Sequence, residues 1–233
     1  MFKKGRQINE ILGIAVDSTS LRSVLTICEG FLSSRGKFYI VTPNPEMIVM
    51  AQSDLEFKKA LNKADLAIPD GWGLRWGNPE IGQRVSGREV MLGLIDKSRS
   101  KGIKFLLVGG KPGIAQQAAF KLGVLGMSEP DIELINKIQP EVLFVALGHG
   151  KQEKWIAKNL PKLKVKIAMG VGGALDQVVH PWLVAPLRVQ AQGLEWLWRL
   201  ILQPWRIKRQ LSLVKYVYLV LRQKMVKYNH AVK

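Results

Sequence analysis

Apolar positions along the chain fall into two patterns. Short, nearly unbroken apolar runs occur at 11–16, 37–42, in the stretch that ends at Asp70, and at 103–108, 142–147 and 165–171. Runs of this kind, without polar alternation, predict strands covered on both faces of a parallel sheet. Between them the apolar residues recur at helical spacing. Leu21, Val24, Leu25, Cys28 and Phe31 share one face, which predicts a helix to about Leu32 with Asp17 or Ser18 as its N-cap. Pro45 suits the first turn of a helix to Ala51. Further helices are expected over 54–63, 89–99, from Ile114, over 131–138 and around Trp155, with a short strand at 122–125 and irregular, glycine-rich chain from Gly71 to Gly87. Strands alternating with helices at this rhythm predict an α/β fold, a largely parallel Rossmann-like sheet with helices on both faces.

From Pro181 the pattern changes. No further strand is expected, and helices over 194–202 and 205–227 meet at Pro204. In the second, Leu211, Val214, Tyr218 and Leu221 can face one way, bracketed by Lys215, Arg222 and Lys224. The expected division is an α/β core over 1–187 and a basic helical appendage over 188–233.

Composition sharpens this picture. With 233 residues and 47% apolar content the chain can bury a sizeable core. No apolar run reaches the ~18 residues needed to span a bilayer, and Asn9 and Glu10 interrupt any signal-peptide core. The single cysteine, Cys28, lies in an apolar helical pattern and reads as a structural thiol in a reduced, cytosolic setting. The formal charge is +17, which favours phosphate-bearing partners. The excess is uneven: residues 188–233 hold ten Lys and Arg against Glu195 alone, so the partner is expected at this end. Aromatic and apolar residues beside Lys and Arg suit a helix lying on an anionic membrane. A core-packed helix with a solvated basic face fits the same pattern. No RRM, KH or helix-turn-helix pattern supports nucleic-acid binding.

Candidate chemistry collects after the strands. Thr42 and Asn44 follow one apolar run and Asp70 follows another, and ligands of open α/β sheets bind beyond the carboxyl ends of the strands. A carboxylate there is a candidate general base. Equally, Asp70 can cap the next helix and Asn44 can close a turn. Gly109-Gly110-Lys111-Pro112-Gly113 links a strand to a helix, a layout that can turn backbone N–H groups toward phosphate. Its spacing matches neither a P-loop nor a dinucleotide fingerprint, and a tight turn without ligand fits as well.

Taken together the runs TPNPEMIVMAQ (42–52), DLAIPDGWG (65–73), QRVSG (83–87), LLVGGKPGIAQQAA (106–119), VLFVALGHGKQEKWI (142–156), MGVGGALD (169–176) and GLEWLWRLILQPWRIKR (193–209) resemble, in order, the WecG/TagA/CpsF glycosyltransferase family. The resemblance implies an inverting, metal-independent transfer of a sugar, typically N-acetylmannosamine or its uronic acid, from a UDP donor to a polyprenyl-diphosphate-linked sugar in cell-surface polysaccharide or teichoic acid synthesis. By motif it implies Asp70 as the base and Thr42 and Asn44 at the sugar-binding mouth. It also implies Gln152, with the adjacent Glu153, on the donor side, Arg84 near diphosphate charge, and Arg199, Arg206 and Arg209 on phosphates. No cofactor or metal is implied, in line with the absence of a DxD motif and the wide spacing of His149, His180 and His230. The implied setting is the cytoplasmic face of an anionic membrane, as a peripheral protein, with a homo-oligomer left open. The chain departs from the family pattern at Gly150, His180, Val184 and Arg88, and between Ala119 and Asp131. The alternative is a catalytically weak or silent membrane-bound scaffold of the same fold.

Overall fold

The computed structural model describes residues 6–231, apart from the side chains of 208–210 and 227–231, and it opens with a hairpin where one strand over 11–16 was expected. β1 (Ile8–Ile11) and β2 (Ile14–Asp17) pair antiparallel, apart from the main sheet. Leu12 (φ 51°) and Gly13 (φ 78°) form the two-residue connection, and positive φ at both positions matches the turn to the twist of the strands. Gln52 Nε2 and Lys58 Nζ donate to the Leu12 carbonyl at 3.1 and 3.3 Å and hold this turn in place.

Six parallel strands form the sheet: β3 (Phe38–Val41), β4 (Leu66–Ala67), β5 (Phe105–Gly109), β6 (Leu125–Met127), β7 (Val142–Ala146) and β8 (Ile167–Gly170), in the order β4-β3-β8-β7-β5-β6. The helices of the core are α1 (Leu21–Ser33), α2 (Pro45–Ala51), α3 (Leu55–Asn62), α4 (Leu74–Gly77), α5 (Gly87–Ser98), α6 (Ile114–Leu122), α7 (Ile132–Ile138), α8 (Lys151–Asn159) and α9 (Ala174–Val179). They are followed by α10 (Leu187–Ala191), α11 (Glu195–Leu202) and α12 (Ile207–Ala231).

Three local expectations change. The stretch from Gly71 to Gly87, expected to be irregular, contains the one-turn helix α4, whose Leu74 is buried in the core. The α1 cap is Ser20, whose Oγ accepts from Ser23 N at 3.3 Å. Asp17 is drawn instead to the sheet, accepting from Ala67 N at 2.8 Å, and Ser18 bonds the 80–82 turn. The strand expected at 122–125 begins only at Leu125, because α6 continues to Leu122 and is stopped by Gly123 in the left-handed region (φ 66°).

The unalternating strands have the cause that their sequence implies. Ile40, Leu107, Phe144 and Met169 pack on one face against α1, α5, α6 and α9. Their neighbours Val41, Val108, Val145 and Ala168 pack on the other against the hairpin, α2, α3, α8 and α12. Each fully buried large side chain contributes ~1.5–3 kcal/mol, so both layers are needed. Cys28 lies in the first layer, its thiol pushed up to about 12 by burial, with Glu29 adding to the rise. On the second, Tyr216 and Val220 of α12 are buried, whereas Leu211, Val214, Tyr218 and Leu221 point outward. Among the described residues no helix is long and apolar enough to cross a membrane.

Candidate active site

All six strands run the same way, so their carboxyl ends share one edge, and a cleft of about 1060 Å³ opens there. Thr42 follows β3 directly and lines this cleft, nearly buried. Two residues on, Asn44 also lines it while capping α2, its Oδ1 accepting from Met47 N at 2.9 Å. Asn44, expected to close a turn, caps a helix instead, and it still lines the cleft.

Asp70 lies three residues beyond β4. Its N–H donates to the Pro43 carbonyl at 2.9 Å, and the Pro69 carbonyl accepts from Val85 N at 2.9 Å. These two bonds fix the β3 exit, Asp70 and the Arg84 loop side by side. Asp70 Oδ1 lies 3.7 Å from Arg84 Nε, and Oδ2 accepts from Gly87 N, the first residue of α5, at 3.4 Å. The cap of α5 itself is Ser86, in a capping box with Glu89. Asp70 keeps 31% of its side chain open to the cleft. Its withdrawal from bulk water raises the carboxyl above the usual range; Arg84, the Gly87 N–H and His149 oppose that rise, and Glu89 adds to it.

The other residues singled out from sequence separate into two groups. Arg84, Gly110, Gln152, Arg199 and Arg206 line the cleft, whereas Gly109 and Glu153 lie behind its wall. Gly110 N donates to the Ala146 carbonyl at 2.8 Å, so that N–H extends the β5–β7 ladder by one bond and is already taken. Gln152 is almost fully buried. Its Oε1 accepts from Gly172 N at 3.1 Å and its Nε2 donates to Glu153 Oε1 at 2.7 Å. Glu153 Oε2 accepts from Gly150 N at 2.7 Å, closing the first turn of α8. Burial raises this carboxyl, against the bond from Gln152. Gln152 and Glu153 therefore brace the β8–α9 turn that forms one wall. Arg199 reaches that turn from α11: a Cβ on Gly173 would sit 2.9 Å from its Nη2. Arg206 Nη1 donates to Gln203 Oε1 at 3.1 Å. The side chain of Arg209 lies outside the described residues.

Several cleft residues have no role predicted from sequence, Glu195 and His149 among them. Glu195 Oε2 meets Arg84 Nη2 at 2.7 Å, and its signal was its isolation as the one acid in 188–233. His149, considered only as a metal ligand, faces the cleft with Nδ1 3.6 Å from Glu46 Oε2. Trp72, Trp196 and Trp205 add aromatic surface to a cleft otherwise rich in arginine. Among the described residues no group of three or more His, Cys, Asp or Glu side chains is placed to hold a metal ion. The arrangement offers the Asp70 carboxylate for proton removal, guanidinium groups for a multiply charged anion and aromatic faces for apolar or ring-bearing groups.

A family model described as "Glycosyl transferase WecG/TagA/CpsF family" matches residues 9–230. The chain is 30% identical to the N-acetylglucosaminyldiphosphoundecaprenol N-acetyl-beta-D-mannosaminyltransferase of Bacillus subtilis (strain 168), over 79% of each chain. It is 28% identical to the Bacillus spizizenii protein of the same name, over 93% of this chain and 91% of that one. The Staphylococcus aureus (strain MRSA252) protein of that name is 25% identical over 92% of each chain.

Proposed function

The chain belongs to the WecG/TagA/CpsF family of glycosyltransferases and is a hexosyltransferase; from that premise we propose that it moves N-acetylmannosamine, or its uronic acid, from a UDP donor to a polyprenyl-diphosphate-linked N-acetylglucosamine, in cell-surface polysaccharide or teichoic acid synthesis. The observation that carries the proposal is that Asp70 and the arginines Arg84, Arg199 and Arg206 line a single cleft at the carboxyl edge of the sheet. The relatives' name supplies the sugar and the lipid-linked acceptor.

In the proposed reaction the Asp70 carboxylate takes the proton of the acceptor hydroxyl. The freed oxygen attacks the anomeric carbon of the donor from the face opposite UDP. The new C–O bond forms as the bond to the β-phosphate oxygen breaks, and the electron pair leaves with UDP. The anomeric configuration inverts. A raised carboxyl pKa favours this role, since a stronger base removes the proton more readily. Charge gathers on the departing diphosphate, and the proposed metal-independent route meets it with Arg199, Arg206 and Arg84. Thr42 and Asn44 face the sugar in this scheme. Gln152 in the cleft wall and Glu153 behind it brace the β8–α9 turn, and Gly109 and Gly110 shape the turn that follows β5.

The acceptor's lipid anchors it in a bilayer, and the outward face of α12 is suited to lie on one. Leu211 and Val214 are 67% and 70% exposed there, beside basic residues. A peripheral position on the cytoplasmic, anionic face brings the cleft to the acceptor and to soluble nucleotide sugar. The test is purified protein, a short-chain polyprenyl-diphosphate-GlcNAc acceptor and a panel of UDP-sugars, with products read by mass spectrometry. A product heavier by one N-acetylhexosamine or its uronic acid is expected. No transfer from any UDP-sugar overturns the proposal.

A further inference from the structure

Glu195 stands out in its surroundings, a single carboxylate at the start of a segment rich in arginine and lysine. α11 turns it into the cleft, where it holds Arg84 Nη2 at 2.7 Å. The same guanidinium presents Nε to Asp70 Oδ1 at 3.7 Å. Arg84 is thus shared between two carboxylates, one beyond β4 and one at the start of α11, and the closer pair is the one with Glu195. A second contact fixes the same segment. Gly193 (φ 71°) lies so near Trp72 that a Cβ there would be 2.9 Å from the ring Cγ. Trp72 is two residues beyond Asp70, so the turn before α11 meets the Asp70 loop at Trp72 while α11 itself meets Arg84.

An arginine given wholly to Asp70 would stabilise its ionised form and make it a poorer base. We propose that Glu195 is a positioning residue that draws the Arg84 guanidinium toward α11 and shares its charge, so that Asp70 remains a strong base while α11 is docked. The inference rests on the reading of Asp70 as the general base. The groups acting on Asp70 are Arg84, the Gly87 N–H and His149, which favour its ionised form, and Glu89, which opposes it. Those acting on Glu195 are Arg84 and Arg199, which favour ionisation, and Asp70 and Glu89, which oppose it. Burial is the leading influence on both carboxyls and raises both. The sign follows: removing the Glu195 charge leaves Arg84 acting on Asp70 with less compensation. Asp70 then ionises at lower pH and removes protons less effectively.

Glu195→Gln keeps the shape and a hydrogen-bond acceptor while removing the charge. The experiment measures kcat/KM for sugar transfer across roughly pH 5–9 for the full-length wild type, Glu195→Gln, Glu195→Asp and Asp70→Asn. Activities are normalised to folded protein from thermal melts. The expected result is a plateau about three- to tenfold lower in Glu195→Gln, with its acid limb moved to lower pH. The ratio of Glu195→Gln to wild type then rises as pH falls, and Glu195→Asp keeps the wild-type limb. An acid limb unmoved in Glu195→Gln, or a loss in equal proportion at every pH, overturns the inference and leaves Glu195 as packing. Near-normal turnover by Asp70→Asn overturns instead the base reading beneath it, whatever the Glu195 variants do.

Discussion

The hydroxyl of Tyr216, midway along α12, donates to the main-chain carbonyl of Leu74 at 3.4 Å, four residues beyond Asp70. The C-terminal helix is thereby bonded to the segment that carries the candidate base. Room for the phenol comes from Gly77, where a Cβ would lie 2.5 Å from the Tyr216 oxygen. Tyr216 is fully buried, and burial pushes its phenol above the ordinary range. Tyr216→Ala is expected to cost about 3–5 kcal/mol, as for other large aromatic truncations in a core. Tyr216→Phe is expected to cost about 0.5–1.5 kcal/mol, the value of one hydrogen bond. Denaturant unfolding monitored by tryptophan fluorescence checks both. A Tyr216→Ala protein as stable as the wild type would mean that α12 is not docked in solution.

The opposite face of α12 leads to a different expectation. Leu211 and Val214 are mostly exposed, so Leu211→Asp with Val214→Asp should change stability by no more than about 0.5 kcal/mol per site. If that face meets the bilayer, the same pair loses two apolar side chains from the membrane contact. Binding to anionic vesicles should then fall by about ten- to a hundredfold. Sedimentation with vesicles, run beside a melting curve, separates the effects. Unchanged sedimentation would assign membrane contact to some other surface.

The reasons why one part of this molecule is legible in its sequence and another is not can be seen in particular residues. Val142–Ala146 reads as a strand because every side chain in it is buried, leaving no polar interruption to confuse the pattern. The hairpin was hidden because Leu12, a residue with no turn preference, adopts positive φ under bonds from Gln52 and Lys58. Asp70 was legible as a carboxylate after a strand. Its neighbours were not, since the Arg84–Glu195 pair depends on how α11 docks across more than a hundred residues of intervening chain. The stripe of Leu211, Val214, Tyr218 and Leu221 was visible as periodicity. That Tyr216 and Val220 form the docked face instead is decided by the space at Gly77, which no helical pattern contains.

Arg206 separates phosphate binding from membrane binding. It lines the cleft from the turn between α11 and α12, with Nη1 held by Gln203 at 3.1 Å. Charge-assisted bonds to phosphate contribute ~1.5–3 kcal/mol, so Arg206→Ala should lower transfer by about ten- to a hundredfold. Vesicle binding, which draws on many cations of the 188–233 segment, should fall far less. Parallel assays of both on one preparation are decisive. Losses of equal size would make Arg206 a membrane contact and remove it from the proposed phosphate set.

Asp70→Asn tests the chemistry most directly, because its effects on activity and stability have opposite signs. Asn keeps the size of the side chain and an oxygen to accept from Gly87 N, but it cannot take a proton. Transfer should fall by about two orders of magnitude or more, the usual contribution of a positioned general base. The stability sign follows from the raised carboxyl of Asp70 in the folded protein. A carboxyl raised on folding binds its proton more tightly in the native state, so its contribution is most favourable at acidic pH and is lost as pH rises through the folded value. At neutral pH the ionised Asp70 is therefore a cost that the Asn variant does not carry. Melting temperature at neutral pH should be equal to or above that of the wild type, and the difference should shrink as pH falls into the range where Asp70 is protonated. A purely structural Asp70 gives the reverse pattern: a lower melting temperature at neutral pH with turnover per folded molecule largely kept. Measuring melts and single-turnover transfer on the same samples distinguishes the two, and near-normal turnover by the Asn variant removes Asp70 from the mechanism.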